Sequence, residues 1–410
     1  MFLDLNAYFA SVEQQERPEL RDRPVAVVPV EADTTFVIAA SYEAKRFGVA
    51  TGTRVSEAKR LCPEIELVKG RPPLYVHYHE AVLLAVDDVL PVDKVHSIDE
   101  MSFRLLGEER SPARAREIAI RLKSVIREKV GKHLRCSIGV APNRFLAKVG
   151  TEMQKPDGLV ILQERDLPHA LFGLKLTDFP GINRRMKARL NAAGIFSSQD
   201  LCSAGPDKMR AAFGSIVGKR WYHLLRGEHA ELEETARKTL SHSHVMAPEL
   251  RTEAGARQVL IRLLQKAAAR LRANGLAASA MEVSASGRRS WRAATRFDAA
   301  NDTPTLTERL LGLWSESTVP DPVKVGVVFY DLVPAENLTP SLFGRGPQLT
   351  DLSRAIDDVN KRFGKNTVFL AAMEDAREAA PERIAFDKTW LFQEGKGDNE
   401  WESRAEPDTA

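Results

Sequence analysis

The sequence predicts an α+β protein divided into several domains, and three observations carry that reading. The chain has 410 residues, more than one undivided hydrophobic core usually serves. Up to about residue 165, short β-rich runs alternate with helical stretches, as they do where helices pack on a sheet. There the strand signal stops, and it returns only near residue 240, after a basic helical segment punctuated by Gly and Pro.

Taken in order, PVAVVPV (24–30), FVIAAS (36–41) and the stretch around VHSIDEMSFRL (95–105) read as strands. ARAREIAIRLKSVIREKV (113–130) sets Ile118, Ile120, Leu122, Val125 and Ile126 among charges, which predicts an amphipathic helix. LRCSIGV (134–140) is the next strand and APNRFLAKVGTEM (141–153) the next helix, ended by KPDG. Residues 231–240 read as a linker. SHSHVM then leads into a helix over 253–274, strands over 277–287 and 290–298, a helix over 305–317 and a strand over 323–332. That β-α-β-β-α-β order suggests a small ferredoxin-like unit. A further helical stretch, LTDLSRAIDDVNKRFG, has no assigned role, and the chain ends in a polar, acidic run that reads as disordered.

Composition excludes several function classes. A hydrophobic share of 43% supports packed cores and excludes a wholly disordered chain. No apolar run approaches the ~20 residues of a bilayer span, which excludes a membrane enzyme. MFLDLNAYFASVE has neither a basic leader nor a small-residue cleavage site, so it does not read as a signal peptide. Cys62, Cys136 and Cys202 are isolated, which fits a reducing cytosol and gives no zinc or disulfide pattern. The net charge is only +3, yet between 166 and 230 ten Lys and Arg stand against five acids. Basicity is concentrated there.

Asp4 ends the first predicted strand, and Asp99 and Glu100 sit in SIDEMSF. Phosphoryl transfer with two divalent ions needs carboxylates converging on metals ~3.5–4 Å apart, and magnesium suits such oxygen ligands. Neighbours on a regular strand face opposite ways, so Asp99 and Glu100 converge only at a bend or hairpin turn. An isolated Asp-Glu pair is otherwise a solvated turn. Lys148 and Lys155 stand beside the Gly/Pro turn of KPDG and could neutralise a triphosphate, although either alone reads equally well as a solvated helix residue. SYEAKRFGV groups Tyr42, Lys45 and Arg46 as a hydroxyl and cations for phosphates. Tyr8 and Phe9 follow Asp4 as an aromatic pair, for which core packing is the alternative.

Four segments in order, DLNAYFASVE, SYEAKRFGV, SIDEMSF and SIGVAPNRFLAK…KPDG, resemble the signature of the Y-family (translesion) DNA polymerases, nearest the bacterial polymerase IV branch. The resemblance implies a right hand. It has a ferredoxin-like palm (1–10 and 75–165), small fingers (11–74), a helical thumb (166–230) and a β-α-β-β-α-β little finger (241–335). A C-terminal tail (336–410) would follow. It implies Asp4, Asp99, Glu100 and the Leu5 carbonyl as metal ligands, with Asp99 and Glu100 catalytic. Phe9 falls on the steric gate that excludes a 2′-hydroxyl. Tyr8, Tyr42, Lys45, Arg46 and Lys155 would meet the incoming nucleotide. Two Mg2+ ions are implied, with Mn2+ as a substitute. The implied partners are primer–template DNA, dNTPs and a sliding clamp, for a monomer in the cytoplasm at the nucleoid. Asn6 stands where the family often has Asp, and Lys45 where it has Arg.

LTDFPGINRRMKARLNAAGI (176–195) reads as helix, Pro-Gly turn and basic helix, resembling a helix-hairpin-helix that holds a DNA phosphate. Gly181 makes the turn, and Asn183, in place of a second Gly, is read as tolerating a left-handed backbone. Arg184, Arg185 and Lys187 follow. SGRRSWRAATRF brings Arg288, Arg289 and Arg292 to a strand and turn, for tracking a DNA backbone or guarding an edge strand. Trp291 there reads as core. His242 and His244 lack Cys partners for zinc and are read as meeting phosphate or facing solvent. In NLTPSLFGR, Leu342 and Phe343 are candidate clamp anchors. The rival reading is a non-catalytic DNA-binding adaptor recruiting other polymerases, which has no use for three like charges together. A helix-hairpin-helix nuclease is disfavoured because the sequence has no second acidic cluster.

Overall fold

The computed structural model describes residues 1–230, 238–338, 346–364 and 366–376. They fall into two compact units, one reaching residue 230 and the other beginning at 238.

The first unit holds β1 (Phe2–Leu5), β2 (Val25–Val28), β3 (Ala39–Ala40) and β4 (Glu66–Lys69). It also holds β5 (Lys94–Val95), β6 (Glu100–Ser102), β7 (Cys136–Val140) and β8 (Leu159–Ile161). One sheet has the order β5-β6-β1-β7-β8 and a smaller one β3-β2-β4. β1 is the central strand, buried throughout and antiparallel to both neighbours. β7 and β8 are parallel and therefore need a crossover, which the helix Arg144–Met153 supplies. Asn143 caps that helix: its Oδ1 accepts from Leu146 N at 2.9 Å. Its amide donates to the carbonyls of Leu224 and Glu228 at 2.8 and 2.9 Å, tying the helix start to the basic helical segment.

The helix Pro112–Lys129 begins at Ser111, which accepts from Arg114 N, with Pro at its first position. It buries Ile118, Leu122 and Ile126 but leaves Ile120 at 52% exposure. Two residues turn a helix by roughly 200°, so Ile120 points away from the face Ile118 shares with Leu122. FVIAAS shrinks to β3 because Val37 and Ile38 donate to different partners, Thr53 O and Val27 O, which takes the run off a single ladder. The helix Tyr8–Glu16 runs unbroken across the expected boundary at residue 10, and the helix Pro72–Asp87 starts before 75 at paired prolines.

The basic segment packs four short helices, Arg184–Ala192, Ser198–Ser203, Pro206–Phe213 and Val217–Leu224, around Phe179, Leu190, Leu201, Met209 and Trp221. The helix expected before the Pro-Gly turn is only a single tight turn, Leu176–Asp178. Asn183 also departs from expectation. Gly181 takes the left-handed backbone (φ +99°), while Asn183 is extended and caps the basic helix, its Oδ1 accepting from Met186 N at 2.9 Å.

The second unit holds β9 (Thr239–Val245), β10 (Leu276–Ser286), β11 (Ser290–Ala300) and β12 (Lys324–Pro334). The helices Glu253–Ala273 and Thr303–Trp314 complete the β-α-β-β-α-β order. The strand order is β11-β10-β12-β9, every neighbour antiparallel. β9 and β10 therefore run parallel with β12 between them, a split β-α-β. β9 takes up Thr239 and Leu240 from the expected linker, of which 231–237 lie outside the described residues. His244 is buried and His242 half-buried, on the face of β9 that buries Leu240, which corrects the solvent-facing expectation. Trp291 packs edge-on against Trp314, with ring centroids 5.8 Å apart.

A helix over Gly346–Phe363 docks on the same unit. The Arg272 guanidinium donates to both oxygens of Asp357 at 2.6 and 2.8 Å, and Ser353 Oγ accepts from Thr303 N at 3.1 Å. This stretch is part of the unit, where a tail from 336 was expected. Leu342, Phe343 and the acidic C-terminal run lie outside the described residues.

Candidate active site

The antiparallel register sets Asp4 on β1 directly opposite Glu100 on β6. Cross-strand partners approach to ~4.5–5.5 Å, so this pairing alone puts two carboxylates side by side. Asp99 occupies the turn between β5 and β6, where the chain leaves the ladder, and this lets it join Glu100 instead of facing away. Leu5 N donates to the Asp99 carbonyl at 2.8 Å, pulling the end of β1 against that turn. Ser97 Oγ donates to Asp99 Oδ1 at 2.6 Å. Burial, and then the charges of Asp4 and Glu100, push the Asp99 carboxyl up to about 6. Three carboxylates feel one another here, as a site for hard cations requires.

Two lysines answer them. Lys148 Nζ contacts Asp4 Oδ2, and lies 3.0 Å from Glu100 Oε1 and 2.9 Å from Glu152 Oε1. Lys155 Nζ lies 2.9 Å from Asp4 Oδ1 and 2.8 Å from Glu152 Oε1. Burial works against the Lys148 charge, but Asp4, Glu100 and Glu152 outweigh it and hold the ammonium well above its ordinary range. Both lysines are half-buried in the acidic patch, so neither is a solvated helix residue. Among the described residues no three acids already converge at metal-ligand distance; ammonium groups lie between them. Asp4, Asp99, Glu100 and the Leu5 carbonyl would offer only oxygen donors, a set that suits a hard divalent cation.

Asn6 is fully occupied elsewhere. Its Oδ1 accepts from Asp157 N at 2.7 Å and its Nδ2 donates to Ser137 Oγ at 3.1 Å, so it joins β1, β7 and the KPDG turn. Tyr42 opens a short helix capped by Ser41, and Lys45 lies 4.3 Å from the Tyr42 ring centroid. Burial, with Asp4 and Glu152 adding, pushes the Tyr42 phenol up to about 12. Burial, then Lys155, lowers Lys45. Those interactions place Tyr42 and Lys45 with the acidic patch. Arg46 is exposed, as Lys45 is, but its charge acts on Glu43.

Ala7, in the left-handed region at φ +48°, turns the chain sharply from β1 into the helix Tyr8–Glu16. Tyr8 is buried with its hydroxyl donated to the Tyr75 carbonyl at 2.5 Å, so its side chain packs in the core. Phe9 stacks on Tyr75, ring centroids 4.3 Å apart and planes within 15°. Sequence reading missed Glu152, although its place between two lysines at i−4 and i+3 was a visible signal. It missed Tyr75 altogether, because nothing local marks a residue that acts across two helices.

Arg184, Arg185 and Lys187 are exposed on the first turn of the basic helix. Arg288 and Arg289 form the tip between β10 and β11, and Arg292 shares the exposed face of β11 with Arg296. Arg288, Arg292 and Arg296 each meet an acid, Asp321, Glu282 and Asp331, at 3.8, 3.3 and 2.9 Å.

The raised Asp99 value carries a pH signature in the metal-free protein. Its folded value lies above 3.8, so the stability it contributes is present below that pH and is lost as the pH rises through about 6. Asp99→Asn lacks this titration, so its unfolding midpoint relative to wild type should rise between pH 4 and pH 6 and level off above. A flat difference across that window would remove Asp99 from the coupled cluster.

Residues 3–152 match the impB/mucB/samB family, and residues 237–342 match the C-terminal domain of that family. The chain is 32% identical to the DNA polymerase IV of Moorella thermoacetica, over 90% of this chain and 95% of that one. It is 27% identical to DNA polymerase IV 1 of Bacillus subtilis, over 96% and 97%. Among solved structures, a Y-family polymerase chimera of Dbh and Dpo4 superposes with a TM-score of 0.67 at 22% identity, covering 81% of this chain and 98% of that one. An insertion ternary complex of Dbh DNA polymerase gives a TM-score of 0.53 at 23% identity over the same shares. With the acidic strand pair, the lysine-bearing helix and these relatives in agreement, the chain belongs to the impB/mucB/samB family as a Y-family DNA polymerase of the DNA polymerase IV type.

Proposed function

We propose that this translesion polymerase extends a DNA primer by templated nucleotidyl transfer, using Asp4, Asp99, Glu100 and the Leu5 carbonyl to hold divalent ions. The observation that carries the reading is the register pairing Asp4 with Glu100, closed by Asp99 in the adjoining turn. Two Mg2+ ions, or Mn2+ in their place, would stabilise the attacking primer oxygen and the leaving pyrophosphate oxygen. The protein's own groups do the rest. Lys155 and Lys45 offer charge to the triphosphate, with the Tyr42 hydroxyl beside them. Lys148, shared by Asp4, Glu100 and Glu152, offsets their charge and holds Asp4 and Glu100 together where divalent ions would be bound. Phe9 lies against the sugar and rejects a 2′-hydroxyl by contact.

Gly181, Asn183 and the basic helix they open would hold a phosphate through backbone N–H groups, with Arg184, Arg185 and Lys187 adding charge. Arg288, Arg289 and Arg292 would track the duplex. The partners are primer–template DNA and dNTPs, with a sliding clamp through Leu342 and Phe343, for a monomer working in the cytoplasm at the nucleoid. No described helix is long and apolar enough to cross a membrane.

The test is extension of a primed, lesion-bearing template with magnesium and dNTPs. Templated products support the reading; DNA binding without any synthesis favours the adaptor. Changing Arg184, Arg185 and Lys187 together to Ala should lower the slope of log K against log[salt] for primed DNA by about 3, with little change in sequence preference. An unchanged slope would take these side chains off the DNA.

A further inference from the structure

The helices Tyr8–Glu16 and Pro72–Asp87 meet through two matched pairs of residues. Phe9 and Glu13 are four apart on the first helix, and Arg71 and Tyr75 are four apart at the start of the second. Phe9 stacks on Tyr75, and Glu13 is held by Arg71, whose Nε donates to Glu13 Oε1 at 3.1 Å and whose Nη2 donates to Oε2. A diagonal bond ties the pairs together: Tyr75 Oη donates to Glu13 Oε1 at 2.7 Å. The Tyr75 backbone is held as well, since its carbonyl accepts from Tyr8 Oη at 2.5 Å. Tyr75 is thus held at its hydroxyl by Glu13 and at its backbone by Tyr8, with its ring stacked on Phe9.

The Glu13 side chain is 0% exposed and that of Arg71 26% exposed. A fully buried carboxylate is costly and adds little net stability over an apolar residue of the same size. Phe9 and Tyr75 would stack without it, through apolar area alone. Geometry is what the ion pair adds: a stacked ring can slide in its plane, whereas a ring whose hydroxyl is bonded to a carboxylate gripped at both oxygens cannot.

We propose that Glu13, gripped by Arg71, is a positioning residue for sugar selection: it locks the Tyr75 ring, and the locked ring fixes how far Phe9 can retreat from a 2′-hydroxyl. The inference rests on the reading of Phe9 as the steric gate in a DNA polymerase. A van der Waals gate works over a few tenths of an ångström, so a backing ring free to shift lets the gate yield. Tyr78 gives an internal comparison. Its hydroxyl donates to Glu16 at 2.5 Å and links the same two helices one turn further on. A network that merely staples helices should behave alike at both places.

The experiment measures kcat/KM for insertion of dCTP and of rCTP opposite template dG, together with thermal unfolding, for wild type, Glu13→Gln, Tyr75→Phe and Tyr78→Phe. Glu13→Gln keeps the side-chain shape, and Arg71 can turn its charge to water, so the variant should fold. Its dCTP-to-rCTP ratio should fall by about tenfold, mainly through faster rCTP insertion. Tyr75→Phe keeps the ring and loses only the diagonal bond, so its ratio should fall in the same direction by about threefold. Tyr78→Phe should keep the wild-type ratio. The proposal is overturned if Tyr75→Phe and Glu13→Gln both hold the wild-type ratio, or if Tyr78→Phe lowers it as much as they do. If Glu13→Gln does not fold, Tyr75→Phe decides. A wild type that inserts neither nucleotide would sink the polymerase reading itself, and this inference with it.

Discussion

Changing Asp99 and Glu100 together to Ala should abolish templated primer extension, by ~10³-fold or more, with the fold intact. A loss of that size corresponds to about 4 kcal/mol of transition-state stabilisation, within what two ions clamping the reacting oxygens supply. Asp4 and the Leu5 carbonyl offer too few oxygens to hold both ions. The fold should survive because the acids are a burden on it at neutral pH: Asp99 is pushed up to about 6 by burial and by its acidic neighbours. Without them Lys148 keeps Asp4 and Glu152 as partners, so no buried cation is left alone. The checks are extension assays with single-turnover sensitivity and thermal unfolding of the metal-free variant, whose midpoint should stay within a few degrees of wild type. Residual synthesis within tenfold of wild type would move the active site elsewhere.

The candidate site was legible in the sequence through its motifs taken together. Asp4 and Asp99-Glu100 read alone as ordinary charges at a strand end and a turn, and only four segments in a family's order gave them a role. The need for a turn at Asp99 followed from strand geometry alone, and the structure supplies that turn between β5 and β6. The β-α-β-β-α-β order was equally readable, since its periods alternate cleanly. What stayed hidden depends on pairing between distant segments. That Asp4 lies opposite Glu100 is a matter of register over some 95 residues, which no local pattern encodes. Core packing was readable for Tyr8, but the carbonyl 67 residues away that takes its hydroxyl was not. Asn183 was read as a left-handed residue from its place in a motif. Gly181 had already made the turn, which freed Asn183 to cap the helix.

Gly139→Ala is the second large effect to expect, and it acts on the helix Arg144–Met153 from beneath. Gly139 sits in mid-β7, and a Cβ built there would lie 2.0 Å from the Ala147 carbonyl oxygen and 2.9 Å from Thr151 N. Both contacts are backbone atoms of the helix Arg144–Met153, which cannot swing aside as a side chain can. The helix must lift off the sheet. Overpacking of a core usually costs 1–3 kcal/mol, and a clash against main chain belongs at the upper end, so a loss of about 3 kcal/mol is expected in denaturant unfolding. The same displacement carries Lys148 and Glu152 away from Asp4 and Glu100, so extension should fall at least ~tenfold in molecules that remain folded. Gly150→Ala is the matched comparison, across the same contact but from the helix side. Its Cβ would stand 3.2 Å from Gly139 Cα and 3.8 Å from Val160, a squeeze of a few tenths of an ångström. Against that, alanine gains about 1 kcal/mol of helix propensity over glycine. Gly150→Ala should therefore be near neutral in stability and keep most of its activity. If the two variants proved equally mild, the helix would not rest on β7 as closely as its backbone implies, and the placement of Lys148 among the acids would have to come from its own ion pairs alone.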